Sequence, residues 1–167
     1  LLLLHGFPEL AYSWRNVMKP LADAGYHVLA PDVRGYGRTT GWDSNYDGDL
    51  TPFRLLNKVR DALGLLYAFG YDSVAAVIGH DAGSPLAGWC AVTRPDIFKS
   101  VVMMSAPFSG TPSIPKNFAD SKTSGSTEIS STIYDDLAAL TRPRKHYQRY
   151  YQTRQANNDM WHATQGL

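Results

Sequence analysis

Short apolar runs alternate with segments of helical hydrophobic spacing along the first two-thirds of the chain. The runs end at turn-forming or polar residues, which indicates short buried strands. These strands are predicted at residues 1–4, 26–32, 73–79 and 99–105. The last two runs are apolar without interruption, which is typical of strands buried on both faces. Helices are predicted between them, at residues 13–24, 51–70 and 83–94. The alternation predicts an α/β fold whose mainly parallel sheet is flanked by helices.

Local chemistry marks the ends of these helices. Ser13 is placed to cap the first helix, and Gly25 is placed to end it. Thr51-Pro52 has the character of an N-cap followed by a first helical residue, and Gly70 follows the last apolar position of that helix. Pro95 stops the third helix because proline cannot continue it.

The pattern changes after the fourth predicted strand. Residues 106–131 are rich in Pro, Ser, Gly and Thr, which indicates an exposed excursion. Helix-like segments follow at 132–140 and 144–161, and the second is rich in tyrosine. We therefore predict an α/β core over residues 1–108 and the start of a helical insertion over residues 109–167.

Composition narrows the class of protein. The 167 residues are 44% hydrophobic and 19% charged, as in ordinary globular domains, and the net charge is +1. Basic residues are scattered, so neither nucleic acid nor an anionic membrane is an expected partner. A single cysteine, Cys90, excludes an internal disulfide framework. No apolar run approaches the roughly 20 residues of a membrane helix, and no His, Cys and Asp cluster has metal-ligand spacing. We predict no metal and no cofactor.

The first residues are four leucines, without a Met or a basic segment before them. Four residues are too few for the apolar core of a signal peptide. They are typical of a buried strand entered midway, so we expect the sequence to be a piece of a longer protein. A cytoplasmic location is expected for it.

Asp81 lies between a predicted strand and a predicted helix, in the stretch Gly79-His-Asp-Ala-Gly83. This is the nucleophile-elbow pattern, G-x-S-x-G, with aspartate in place of serine. The glycines permit a tight turn, and ligands of open α/β sheets bind at the carboxyl ends of the strands. The alternative role for Asp81 is a helix N-cap, which aspartate often fills.

A second motif, His-Gly-Phe-Pro-Glu-Leu at residues 5–10, follows the first strand. It resembles the oxyanion loop of the α/β-hydrolase fold, where two backbone N–H groups converge on a developing oxyanion. By that resemblance the donors are the N–H groups of Phe7 and Ala82. His5 is expected to be structural.

Four stretches together resemble the epoxide hydrolases of the α/β-hydrolase superfamily: HGFPELAYSWR, YHVLAPDVRGYGRT, GHDAGS and YQRYYQ. The resemblance covers nearly the whole chain. It implies the α/β-hydrolase fold with a helical lid inserted after the sixth strand, truncated at both ends in this sequence. It also implies that an aspartate attacks a small apolar epoxide and that water then hydrolyses the aspartyl ester to a vicinal diol.

The resemblance assigns roles to individual residues. Asp81 is the nucleophile, which suits aspartate because the carboxylate is ionised without the help of a base. Tyr147 is the lid tyrosine that polarises the epoxide oxygen, in preference to Tyr150 and Tyr151. The expected substrate pocket is apolar and is lined by Phe7, Trp14, Phe108, Tyr147 and Tyr151.

The family also uses a histidine base, its acidic partner and a second lid tyrosine, which the resemblance places after Leu167. The histidines present are not expected to replace the base. His27 lies in a predicted strand, His80 should point away from the substrate, and His146 and His162 belong to the lid segment. We therefore expect the chain alone to be inactive in sustained turnover.

Three charged residues near the motifs are expected to be structural: Glu9, Asp32 and Arg34. Asp32 and Arg34 lie two residues apart in a glycine-rich loop. A local ion pair between them is therefore predicted.

Other functions stay open. A haloalkane dehalogenase or a fluoroacetate-type dehalogenase is disfavoured, because these classes resemble this one but place other residues at Phe7 and Ala82. The haloalkane enzymes carry Trp after the nucleophile and usually Asn in the first loop. Another α/β-hydrolase activity, or a non-catalytic binding module of the same fold, is the further alternative. A homodimer is also left open.

Overall fold

The computed structural model describes residues 1–43, 45–110 and 131–164, and the chain forms two compact units, Leu1–Thr111 and Pro112–Leu167. The strands of the first unit are β1 (Leu2–Leu4), β2 (Val77–His80) and β3 (Val101–Met104). Its helices are α1 (Arg15–Asp23), α2 (Leu55–Ala68) and α3 (Gly83–Thr93), with 3-10 turns at Ala11–Trp14 and Thr51–Phe53. The described helices of the second unit are α4 (Ser131–Ala138), α5 (Tyr147–Tyr151) and α6 (Arg154–Thr164).

The three strands form one parallel sheet in the order β1-β2-β3. Leu4 lies opposite Gly79, and Gly79 lies opposite Met103, so the carboxyl ends of the strands meet at one edge. Helix α3 packs against all three strands, and α2 packs against α3. The predicted parallel sheet flanked by helices is confirmed.

The strand predicted at residues 26–32 is wrong in extent, because only Leu29 makes a bridge to β1. The Leu29 N–H donates to the carbonyl of Leu1 (2.9 Å), and the Leu29 carbonyl accepts from the N–H of Leu3 (2.8 Å). The next donor of a parallel ladder would be residue 31. That residue is Pro31, which has no N–H, so the pairing stops.

The apolar runs at residues 73–79 and 99–105 also form shorter strands than predicted. The run at 73–79 enters the ladder only at Val77, with an isolated bridge between Val74 and Phe98 before it. Within the run at 99–105, Val101 is 39% exposed and Val102 is 44% exposed. These two side chains point to opposite faces, so the prediction of burial on both faces is wrong for β3, which has a neighbouring strand on one side only among the described residues.

The predicted carboxyl ends of α1 and α2 agree with the structure more closely than the predicted amino ends do. Gly25 (φ +92°) and Gly70 (φ +74°) lie just after α1 and α2 in the left-handed region that glycine adopts readily. Ser13 lies inside the 3-10 turn before α1, and Thr51 lies in a 3-10 turn that ends before α2, so neither residue caps its helix. No helix in the described ranges is both long enough and apolar enough to span a membrane.

The core of the first unit lies between the sheet, α2 and α3. It is made by twelve buried apolar residues: Leu2, Leu4, Val59, Ala62, Leu66, Val74, Val77, Leu86, Ala87, Cys90, Ile97 and Phe98. Cys90 is fully buried in it, and burial raises the pKa of its thiol to about 12. Cys90 is therefore a packing residue rather than a nucleophile.

Gly79 lets β2 approach α3 backbone to backbone. A Cβ on Gly79 would lie 2.1 Å from the carbonyl oxygen of Gly83 and 2.7 Å from the Cα of Ser84, which is far inside van der Waals contact. Gly64, in the interior of α2, differs in this respect, because a Cβ there would meet no atom within 4 Å.

These two glycines give a matched pair of substitutions. Gly79→Ala should lower the free energy of unfolding by about 3 kcal/mol, since the backbone must shift to admit the methyl group. Gly64→Ala should raise it by about 0.5–1 kcal/mol, since alanine is favoured over glycine inside a helix. Urea denaturation of both variants measures the difference. Equal stability of the two variants would contradict this account of the packing between β2 and α3.

Candidate active site

Asp81 occupies a tight turn between β2 and α3. Its φ of +50° lies in the left-handed region, which is costly for a residue with a side chain. The Asp81 N–H donates to the carbonyl of Met104 at the end of β3 (3.0 Å), and the Asp81 carbonyl accepts from the N–H of Ser84 in α3 (2.9 Å). The turn is thus fixed from both sides, and it presents the carboxylate at the edge where the strands end.

The Asp81 carboxylate accepts a hydrogen bond from the backbone of the loop after β1. The N–H of Phe7 donates to Asp81 Oδ1 at 2.9 Å, across 74 residues of sequence. Ala82, rather than Asp81, occupies the N-cap position of α3, where no side-chain cap hydrogen bond forms. The alternative role of Asp81 as a helix N-cap is therefore wrong.

Two glycines make this approach sterically feasible. A Cβ on Gly6 would lie 2.4 Å from the Cβ of Asp81 and 2.7 Å from its Oδ1. A Cβ on Gly83 would lie 2.2 Å from the carbonyl oxygen of Leu4. Any side chain at either position would push the loop after β1 away from the Asp81 turn.

Ala82 lies at the N-terminus of α3 and is exposed. The first N–H groups of a helix have no partner within the helix, and the positive end of the helix dipole favours negative charge there. A backbone donor therefore follows Asp81 directly in sequence.

Tyr36 is a residue near Asp81 that the sequence analysis missed. Its ring meets the His5 ring edge to face, with the centroids 5.0 Å apart. Burial, and then the nearby Asp81 charge, raise the pKa of the Tyr36 phenol above its usual value. The sequence does carry an indication of this position, because Tyr36 lies between Gly35 and Gly37. These two glycines (φ +86° and +53°) turn the loop and so position the tyrosine between them.

Glu9 and His80 form a second link between the two loops. The Nδ1 of His80 lies 3.0 Å from Oε2 of Glu9, and both side chains are about one-third exposed. His80 immediately precedes Asp81, and Glu9 follows Phe7 by two residues. The pair therefore ties the end of β2, just before the Asp81 turn, to the loop after β1.

The predicted ion pair between Asp32 and Arg34 is wrong. Asp32 Oδ1 instead accepts a hydrogen bond from the N–H of Ala11 (2.8 Å), which anchors the loop that follows Phe7. Arg34 reaches α2, where its guanidinium makes two hydrogen bonds to the carboxylate of Asp61. The Asp32 carboxylate is thus occupied by backbone donors, and the Arg34 guanidinium has a charge-assisted fork to Asp61.

Trp14 and Phe108 are predicted pocket residues in the first unit. Trp14 ends the 3-10 turn that follows the loop after β1, and its indole Nε1 is buried without a hydrogen-bond partner in the described part of the chain. Phe108 packs edge to face on Trp89 of α3, with the ring centroids 5.8 Å apart. The Phe108 ring also lies over Gly88, so Phe108 packs on the middle of α3.

The predicted tyrosines of the second unit lie on α5. Tyr147 is its first residue, is 50% exposed and stacks on His146 with the ring centroids 5.2 Å apart. Tyr151 is 43% exposed and contacts the ring of Tyr150. The Tyr150 hydroxyl donates a hydrogen bond to Asp159 of α6, which raises the pKa of that phenol.

The titratable side chains of the described residues do not form a metal-ligand cluster. Within residues 1–43, 45–110 and 131–164, no three His, Cys, Asp or Glu side chains are grouped so that they could hold a metal ion.

Similarity to known proteins agrees with this geometry. An epoxide hydrolase of Caballeronia sordidicola is 43% identical over 107 residues, which are 64% of this chain and 31% of that protein. Epoxide hydrolase B of Mycobacterium tuberculosis is 44% identical over 108 residues, 65% of this chain and 29% of the relative. The structure of an epoxide hydrolase from an endophytic Streptomyces matches with a TM-score of 0.64 and 33% identity, covering 97% of this chain and 42% of that one.

The chain spans about 30% of the length of these curated relatives. A profile of the family described as alpha/beta hydrolase fold matches residues 1–123. That range contains the sheet, the loop after β1 and the Asp81 turn. The chain belongs to the alpha/beta hydrolase fold family and is similar to its epoxide hydrolases.

Proposed function

We propose that this chain supplies the nucleophile and oxyanion loop of an epoxide hydrolase, which opens an epoxide to a vicinal diol through an ester of Asp81. The observation that carries the proposal is the Asp81 carboxylate in a left-handed turn, with Oδ1 held by the Phe7 N–H at 2.9 Å. The names of the similar proteins support the reaction type.

In the first step the Asp81 carboxylate attacks a ring carbon of the epoxide. Phe7 holds Oδ1, so Oδ2 is proposed as the attacking oxygen. The new bond from Oδ2 to carbon forms as the ring carbon–oxygen bond breaks. The departing oxygen needs a proton, and the hydroxyl of Tyr147 is proposed to supply it.

In the second step water adds to Cγ of the Asp81 ester. Oδ1 is then the ester carbonyl oxygen, and it takes up negative charge as the tetrahedral intermediate forms. The N–H groups of Phe7 and Ala82 are proposed to stabilise that charge. Collapse breaks the bond from Cγ to Oδ2, which leaves as a hydroxyl oxygen of the diol with one proton of the added water. The other proton of that water restores the Tyr147 phenol, and the water oxygen remains in the Asp81 carboxylate.

Residues 109–167 are proposed to be the start of the helical lid. Tyr147 is preferred to Tyr150 as the proton donor, because the Tyr150 hydroxyl already donates to Asp159. Trp14, Phe108 and Tyr151 are proposed to line the apolar substrate pocket. The substrate is proposed to be small and apolar, and no cofactor is required, because a carboxylate, a phenol and water supply every atom that the reaction moves.

The residues beside the nucleophile favour epoxide opening over dehalogenation. The chain carries Ala82 and Phe7 at the two positions where haloalkane dehalogenases place Trp and Asn to bind the halide. Among the described donors near Asp81, Phe7 offers a backbone N–H that suits an oxyanion on Asp81 itself. A strained Asp81 turn is also costly to retain in a protein that uses it only for binding.

Reaction with a reactive epoxide tests the nucleophile. Styrene oxide should attach one covalent adduct to the peptide that contains Asp81, measured by mass spectrometry of acid-quenched samples. Asp81→Asn should abolish the adduct, because the amide is a poor nucleophile. Asp23→Asn makes the same chemical change at an exposed carboxylate of α1 and should leave adduct formation unchanged. An undiminished adduct in Asp81→Asn would refute the assignment.

Removal of one hydroxyl tests the proposed proton donor. Tyr147→Phe should slow adduct formation by about 10–1,000-fold, the range for loss of one positioned acid or donor. Tyr150→Phe, three residues along the same helix, should change the rate little because its hydroxyl is bound to Asp159. Stopped-flow or quench-flow alkylation rates measure both variants. Equal rates in wild type and Tyr147→Phe would remove Tyr147 from the mechanism.

A further inference from the structure

His5 is a buried histidine to which the two proposed steps give no role. It follows β1 directly, precedes Gly6 and is 2% exposed. Both ring nitrogens are hydrogen-bonded to the backbone. The N–H of Val33 donates to Nε2 at 3.0 Å, and Nδ1 lies 2.9 Å from the carbonyl oxygen of Gly6.

These two partners determine the tautomer of the ring. A backbone N–H can only donate, so Nε2 must be the unprotonated acceptor. A carbonyl oxygen can only accept, so Nδ1 must carry the hydrogen. His5 is therefore a neutral imidazole in the Nδ1–H form, because a proton on Nε2 would point directly at the N–H hydrogen of Val33.

The carbonyl that His5 binds belongs to the same peptide group as the donor that faces Asp81. A trans peptide is planar, with its C=O and N–H directed to opposite sides. The Gly6 carbonyl accepts from Nδ1 of His5 (2.9 Å) and from the N–H of Glu9 (3.0 Å). With the carbonyl held on that side, the N–H of Phe7 must point the other way, toward Asp81 Oδ1 at 2.9 Å. Rotation of that peptide would carry the N–H away from the carboxylate.

The other end of the imidazole is itself anchored. Val33 lies between Asp32, which binds the N–H of Ala11, and Arg34, which binds Asp61 of α2. The edge of Tyr36 closes on the His5 ring from the same loop. The loop at residues 32–36 therefore acts as a fixed support for the ring, and the ring transmits that support to the Gly6–Phe7 peptide.

We propose that His5 is a positioning residue, whose Nδ1–H tautomer fixes the Gly6–Phe7 peptide so that the Phe7 N–H faces Asp81. The role rests on the proposed function, because the held donor is the one that stabilises the oxyanion during ester hydrolysis. His5 does not contact the substrate or exchange a proton in the reaction. Its effect falls mainly on the second step, where negative charge develops on Oδ1.

Two substitutions separate the two hydrogen bonds of the ring. His5→Asn places an amide N–H near the position of Nδ1 and so keeps the donor to the Gly6 carbonyl. His5→Gln places an amide oxygen near the position of Nε2 and so keeps the acceptor for Val33 while losing the donor. Both variants lose the imidazole packing, so the difference between them isolates the bond to Gly6.

Nuclear magnetic resonance tests the geometry without any catalytic turnover. The ¹⁵N spectrum of wild-type His5 should show a protonated Nδ1 and an unprotonated Nε2 at neutral pH. The amide proton of Phe7 should shift in Asp81→Asn, stay close to its wild-type position in His5→Asn and move in His5→Gln. A protonated Nε2 would overturn the proposal, as would identical Phe7 shifts in the two His5 variants. The tautomer measurement needs no variant and so stands even where both substitutions prevent folding.

Single-turnover kinetics in the active protein tests the consequence. His5→Gln should slow hydrolysis of the Asp81 ester by about 10–100-fold relative to His5→Asn, the effect of a misplaced oxyanion donor, with a smaller effect on alkylation. Equal hydrolysis rates in the two variants would overturn the positioning role. Failure of Asp81 to form any ester would instead refute the proposed function, while the Phe7 and His5 spectra would still decide whether the ring fixes the peptide.

Discussion

The hydrogen bond from the Phe7 N–H to Asp81 Oδ1 is the interaction on which the candidate site depends. It joins two loops that are distant in sequence but adjacent in space, because β1 and β2 are parallel neighbours whose carboxyl ends coincide. Their register brings Gly6 against Asp81 at a distance that excludes any side chain at Gly6. The fold therefore holds a carboxylate and a backbone donor together where the parallel strands end.

The surroundings of the Asp81 carboxylate suit the nucleophilic role proposed for it. The carboxylate accepts a hydrogen bond from the Phe7 N–H, and the nearby Tyr36 phenol keeps its proton because burial and the Asp81 charge raise its pKa. None of these groups needs to remove a proton from Asp81 before it attacks. Chemistry at a saturated carbon fits such a site better than acyl transfer, for which a serine and its base are the usual solution.

Much of this arrangement could be predicted from sequence, because steric demands leave a local signature. Glycines around Asp81 and after His5 indicate a close backbone approach, and the approach is there. Side-chain contacts that depend on tertiary packing have no such local signature in the sequence. Arg34 binds Asp61 on α2 rather than nearby Asp32, and the Tyr36 ring meets that of His5, which is 31 residues away in sequence. Pro31 shortens the strand at Leu29, and this was visible in the sequence, since proline lacks the N–H that the next ladder bond requires.

The most direct test of the central claim follows the oxygen atom that opens the ester. A single turnover of the active protein in ¹⁸O-labelled water, followed by mass spectrometry of the peptide that contains Asp81, shows where the oxygen from water goes. Attack of water on Cγ of an Asp81 ester places the label in the Asp81 carboxylate and leaves the diol of that turnover unlabelled. Label found in the diol and absent from Asp81 would mean that water attacks the epoxide directly, and would contradict the account.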